Sequence, residues 1–360
     1  MRPRSKRVLF LGDFGAQGDG LHDDTKAFKD AWEIACSFSP RARIVIPAGR
    51  TFLIHPIDIA GPCRSKITLQ ISGTIMAPKD PGAWFGMNRR KWLYFHGVNH
   101  LTVEGGGTIN GMGQEWWARS CKTNSTNWLL IVLWQPCHHA PTVSAAVFLE
   151  KFSVAHLDVI APARSPNTDG IHISASKGVE VKDSIIRTGD DCISIVSNSS
   201  RIRIRNIICG PGHGISIGSL GKSNSWSQGG SGFATGISFQ NVLMENVSNP
   251  IIVDQYYCDS RHPCANQTLA VKVANISFMH IRGTSATEEA IKLSCSDDFP
   301  CEGLYLEDIQ LVSSCGGITR SFCWKAYGSS SGLVNPPACF SCSESYINQK
   351  VLLDSGIHSI

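Results

Sequence analysis

Three six-residue segments, 169–174, 191–196 and 213–218, share one order of apolar and polar positions: DGIHIS, DCISIV and HGISIG. Their first isoleucines stand at 171, 193 and 215, so the unit repeats every 22 residues. Within each unit apolar residues alternate with polar ones, the period of a strand with one buried face. A strand that recurs at a fixed interval of this length predicts coils stacked in a solenoid. A second strand per unit supports this, seen in Val179/Val181, Ile202/Ile204/Ile207, Ile237/Phe239/Val242, Ile276/Phe278/Ile281 and Leu304/Leu306/Ile309. Two intervals are long, 35 residues from Ile202 to Ile237 and 39 from Ile237 to Ile276, and the latter holds a loop from Cys258 to Cys264. One helix is predicted near the start. There Ala27, Phe28, Ala31, Trp32 and Ala35 share a face behind the capping candidates Asp24 and Thr25.

The pattern predicts an all-β chain, a single-stranded right-handed parallel β-helix with a short N-terminal capping helix. Residues 1–360 read as one domain, with 1–12 a disordered or remnant N-terminus and 335–360 a C-terminal tail. The Gly/Ser-rich stretch 218–236 reads as a loop, because the strand pattern resumes unchanged at Ile237. The run 127–134, NWLLIVLW, has no period and takes no place in this scheme.

Composition narrows the setting. A net charge of +4 and a pI near 8.4 are too mild for a nucleic-acid binder. The longest purely apolar run, Trp128 to Trp134, is far short of the roughly 20 residues of a membrane-spanning helix. Fourteen cysteines, several in close pairs such as Cys258/Cys264, Cys295/Cys301 and Cys339/Cys342, fit a disulfide-stapled protein of an oxidising compartment. No C-x2-C pair recurs at zinc-finger spacing. Five sequons, at Asn124, Asn198, Asn246, Asn266 and Asn275, agree with export. The basic residues Arg2, Arg4, Lys6 and Arg7 precede an apolar stretch, Val8 to Leu11, too short for a secretory signal, so the chain is expected to be mature, truncated or without its export signal.

The 22-residue alignment puts Asp169, Asp191 and His213 in one column, with Asp190 adjacent. Three carboxylates and an imidazole at coil spacing of about 4.8 Å cannot all be charged without raising at least one pKa. A raised carboxyl beside an ionised one is the arrangement glycosidic hydrolysis uses. Spacing alone leaves other readings open: a polar turn ladder, or a metal set. Strict alternation would also point Asp169 inward with Ile171 and Ile173, unless Gly170 and Gly214 mark a bend.

The segments SPNTDG at 165–170, GDDC at 189–192 and GPGHG at 210–214 resemble three signatures of the polygalacturonases of glycoside hydrolase family 28, the plant members above all. FGAQGDG at 14–20, GGSGFA at 229–234 and PIIVDQ at 250–255 extend the likeness over nearly the whole chain. The resemblance implies a right-handed β-helix that hydrolyses α-1,4 galacturonan with inversion, without cofactor or metal. By motif, Asp190 is then the general acid, Asp169 and Asp191 hold and deprotonate the attacking water, and His213 supports the acid and contacts sugar. Asn167 and Tyr257 would be subsite residues. Cys192/Cys209 and Cys295/Cys301 look like family disulfides.

Two departures stand out. The family carries a further coil after the His213 segment, ending in an Arg-Ile-Lys motif that grips substrate carboxylates, and no Arg-Ile-Lys occurs in this chain. A second coil is absent between Ala140 and Asn167. Lys222 or Lys292 would have to substitute for the clamp. The expectation is a secreted, monomeric cell-wall enzyme acting on pectin, with an inactive pectin-binding homologue as the alternative and a calcium-dependent lyase as a weaker third.

Overall fold

The structure, a computed structural model, describes residues 6–87, 92–118, 151–196, 198–218, 232–256 and 271–340, together with the backbone of 145–147. The helix Thr25–Ser37 buries the five residues its spacing predicts and lies against the first coil. Its cap divides the work of an acidic pair. Asp24 occupies the cap position, but its buried side chain accepts from the Gln17 and Gly18 amides, at 2.7 and 3.2 Å. Asp23 takes the Thr25 amide instead, at 2.9 Å. The expectation of a disordered start fails for Arg7–Phe10, a strand paired in register with Ala42 to Val45. Leu9 and Leu11 are buried there, and apolar burial holds the segment to the stack.

Every pairing in the large sheet is parallel. One ladder climbs from Lys66–Ile71 through Leu101–Glu104, Ser153–Ala155, Glu180–Arg187, Ser199–Cys209, Phe233–Asp254, Lys272–Ser285 and Cys301–Ser313 to Ala326–Asn335. The other contains the 22-residue repeat: Ile171 pairs Ile193, Ile193 pairs Ile215, Ile215 pairs Ile251 and Ile251 pairs Ile291. Parallel neighbours need a crossover between them, and here each crossover is the rest of a coil. The result is the parallel β-helix expected. Its core is a column of like on like, as where Phe239 stacks on Phe278 with centroids 4.8 Å apart and planes 5° from parallel.

Both long intervals are single coils. Ile202 pairs Ile237 and Ile237 pairs Ile276 directly, so no strand stands between them. Likewise Val103 pairs Val154, so the ladder crosses the second departure without an added coil. The run 127–134 lies outside the described residues.

A polar ladder does exist, away from the acids. Asp183, Asn206, Asn241, His280 and Asp308 recur once per coil, each near φ +50°. Asn206 donates to Asp183 at 2.7 Å and Asn241 to Asn206 at 3.1 Å. Small polar residues tolerate this left-handed turn.

Disulfides join Cys36–Cys63, Cys192–Cys209, Cys295–Cys301 and Cys323–Cys339. The close spacing of Cys339 and Cys342 is therefore not a pairing. Cys339 reaches back to the last coil, where the Ser321 hydroxyl also meets the Pro336 carbonyl. Cys258 and Cys264 lie outside the described residues.

Truncating one member of the stacked pair opens a cavity that two neighbouring coils share. Phe278→Ala is expected to lower unfolding free energy by about 3–5 kcal/mol, read from denaturant titration.

Candidate active site

The repeat alone misplaces one residue. Asp191 pairs Gly214, whereas two positions on Ile193 pairs Ile215, so Cys192 is an extra residue on its strand. This bulge lets Cys192 and Ile193 both be buried and turns Asp191 away from the core. The slip also moves His213 out of the column with Asp191 and sets it beside Asp190, whose carbonyl accepts the His213 amide at 2.8 Å.

Asp169 does not point inward either. Gly170 passes under the Asp191 carbonyl, to which its amide donates at 2.8 Å, and a Cβ there would lie 2.3 Å from the Ile186 side chain. Only glycine permits that approach, and the chain reverses its facing at this point. Asp169 is left 21% exposed on the same outer strip as the other acids.

Each carboxylate then has its own partner. The Asp190 carboxylate is 2.7 Å from His213 Nδ1, through the Oδ1 that also accepts the Asp191 amide. Asp191 accepts from Ser216 Oγ. Asp169 accepts from Ser194 Oγ at 2.7 Å, and Ser194 in turn sits 2.8 Å from His172 Nδ1. Because the single hydroxyl proton of Ser194 goes to Asp169, His172 donates from Nδ1.

These environments shift two of the groups. Desolvation, and then the charge of Asp169, push the Asp191 carboxyl up to about 8. The hydrogen bond to Asp190 raises His213 above its ordinary 6.5, against the opposing effect of burial. One proton is therefore held on Asp191 across the acidic range, and His213, hydrogen-bonded to Asp190, keeps its own to higher pH than a free imidazole does. That is the division between proton carrier and proton acceptor that acid–base hydrolysis requires.

Asp190, Asp191 and His213 offer ligand atoms within 4.8 Å of one another, as do His280, Glu307 and Asp308 on the turn ladder. Either set has the donors a divalent cation takes, though His213 Nδ1 is engaged by Asp190. Asn167 stands half-buried in a left-handed conformation two residues before Asp169. Tyr257 and Lys222 lie outside the described residues. Lys292 does not offer a loose cation, since its Nζ donates to Asp254 at 2.9 Å.

His172, Ser194 and Ser216 were missed by motif reading. They stand at one position of the repeat, 22 residues apart, and were legible there as an outward polar column. Trp117 was legible by no such signal; its indole donates to Thr168, beside Asp169, at 3.1 Å.

The family model described as Glycosyl hydrolases family 28 matches residues 36–227 and 222–329. A probable polygalacturonase of Arabidopsis thaliana is 54% identical, covering 99% of this chain and 89% of that protein. A polygalacturonase of Persea americana is 44% identical over 88% of this chain and 76% of that one. The Arabidopsis alignment runs over 406 positions against 360 residues here, so at least 46 positions have no counterpart, the length of about two coils. Among solved structures, the chain is similar in fold to an endo-xylogalacturonan hydrolase of Aspergillus tubingensis, with TM-score 0.58 and 17% identity over 90% of this chain and 100% of that one.

Asp191 carries a linkage consequence. Its folded pKa lies above its unfolded one, 3.8, so between 3.8 and about 8 folding takes up a proton and stability falls as pH rises. Asp191→Asn removes that penalty. Its unfolding free energy should exceed the parent's by a margin that widens from pH 4 to 7, at no more than about 1.4 kcal/mol per unit, while turnover falls. Denaturant titration at several pH values measures this.

Proposed function

We propose that this chain, which belongs to glycosyl hydrolases family 28, hydrolyses α-1,4-galacturonosyl bonds of pectin through Asp190, Asp169 and Asp191. The observation that carries this reading is three carboxylates on one outer strip, each with a different proton partner. Asp190, 22% exposed and proton-linked to His213, gives a proton to the leaving glycosidic oxygen as the C–O bond breaks. Water held between the Asp169 and Asp191 coils adds to the anomeric carbon and yields its proton to Asp169. Asp191, neutral in the acidic range, orients that water without competing for its proton.

Inversion follows from the family likeness rather than from a wide carboxyl gap. Ligand oxygens of Asp190 and Asp191 come within 4.8 Å, closer than the roughly 6.5–9.5 Å that usually leaves room for water between acid and base. The water therefore belongs beside this pair, on the Asp169 side.

The disulfides support an oxidising, extracellular setting, the cell wall for a pectin hydrolase. Among the described residues no helix is long and apolar enough to cross a membrane. We read the enzyme as a monomer that needs neither metal nor cofactor. Loss of the Arg-Ile-Lys coil favours an inactive homologue as the second reading, while the intact acid strip favours turnover.

Asp190→Asn is expected to lower reducing-end release from polygalacturonic acid at least 100-fold, with chelator present. Loss of the His213 proton beside Asp190 switches the acid off, so activity falls as pH climbs through the raised His213 value, placing the alkaline limb above 6.5. Proton NMR of the first sugar released should show the inverted anomer. Full activity in the Asp190 variant, or retention, overturns the assignment.

A further inference from the structure

The last coil inverts the usual facing of a strand. In Arg320–Trp324 the aromatic residues point out, Phe322 41% and Trp324 48% exposed, while Ser321 and Cys323 are half-buried. Large exposed aromatics at alternate positions mark a surface built for contact. Their place is set by register. Phe322 ends an outward column that begins at the acid strip and passes through His172, Ser194, Ser216, Ile252 and Lys292. Trp324 ends the neighbouring column, after Asp254 and Ser294. The pair therefore lies on the same face as the acids, three coil spacings beyond His213's strand, about 14 Å.

The indole is held. Trp324 Nε1 donates to Asp297 at 3.1 Å, and the other Asp297 oxygen accepts from the Tyr256 hydroxyl at 2.8 Å. Two cations on the strands of these coils are already neutralised, Lys292 by Asp254 at 2.9 Å and Arg320 by Glu288. A free uronate on this platform would meet the carboxylate of Asp297, and two strand cations of these coils, Lys292 and Arg320, are already paired. An uncharged sugar would lose nothing to repulsion and would bury the apolar face of its ring on the aromatics.

We infer that Phe322 and Trp324 form a distal subsite that stacks a methyl-esterified, uncharged galacturonosyl unit of the chain being cut. This rests on the proposed pectin hydrolysis, and it gives the absence of the Arg-Ile-Lys clamp a chemical meaning. Where carboxylates are esterified, a basic grip has nothing to hold, and aromatic contact replaces it.

The subsite is tested by calorimetry on the Asp190→Asn protein, which holds substrate without cutting it, using octagalacturonate in methyl-esterified and de-esterified forms. The esterified octamer should bind more tightly, and adding Phe322→Ala with Trp324→Ala should weaken it about tenfold. Trp324→Phe should retain most of the affinity, which separates loss of stacking from loss of folding. Asp297→Asn, which leaves both rings in place, should raise affinity for the de-esterified octamer several-fold. Equal binding of the two octamers, or undiminished binding in the double variant, overturns the subsite. Failure of the hydrolytic reading shows separately, as wild-type protein that binds either octamer but releases no reducing ends.

Discussion

In-register stacking of isoleucines fixes where every other side chain of this molecule falls. Ile171, Ile193, Ile215, Ile251 and Ile291 lie on one another, and each coil hangs its polar residues from that column. Because side chains alternate strictly, a regular strand would bury Asp191 with its isoleucine neighbours, where an ionised carboxylate cannot be supported. The single added residue at Cys192 resolves the conflict. It keeps the isoleucines in register on both sides while reversing the facing of what precedes them, and the Cys192–Cys209 bridge ties the bulge to the next coil. Gly170 makes the matching reversal one coil earlier, by backbone approach instead of insertion.

Bringing three carboxylates onto adjacent coils works against folding, and the protein answers with hydroxyls and imidazoles from the same coils. Ser194 serves Asp169, Ser216 serves Asp191 and His213 serves Asp190. The Ser216 hydroxyl does not offset the desolvation of Asp191 beside the Asp169 charge, and Asp191 keeps its proton. In a stack whose stability sums over its coils, the penalty at this strip stays local to the coils that carry it. The same tension that weakens the strip separates its protonation states, and separated states are what the chemistry uses.

The repeat was legible because stacking demands like residues at a fixed interval, and the buried columns were read correctly from Val181 through Leu306. Residues whose position depends on a break in the interval were not. The bulge at Cys192 leaves no mark in a gapless alignment, so His213 was assigned to the column of Asp191 when it belongs to Asp190. Local pattern makes Asp24 a helix cap, but its side chain is drawn to the Gln17 and Gly18 amides of a loop that local pattern cannot place. Proximity along the chain groups Cys339 with Cys342, whereas its bond to Cys323 depends on the chain after Trp324 folding back over the last coil. Ser194 and Ser216 escape motif reading for the opposite reason. Serine on an outward strand position is ordinary, and only the carboxylates beneath give it work.

Deleting a coil from a solenoid differs from deleting a loop from a compact core. Each coil contacts its two neighbours alone, and here the strands that meet after the deletion pair as if nothing had been removed. Stability is then nearly indifferent to coil number, whereas the cleft is not, because its floor is the series of outward positions read along the axis. Removing one coil brings everything beyond it one spacing closer to the acids and takes away whatever charge it carried. Among the described residues, the positions beyond His213 then carry Lys292 paired with Asp254 and exposed aromatics at the far end. A fold of this kind can change the charge of the surface along its axis by editing whole coils, while the acid strip stays intact.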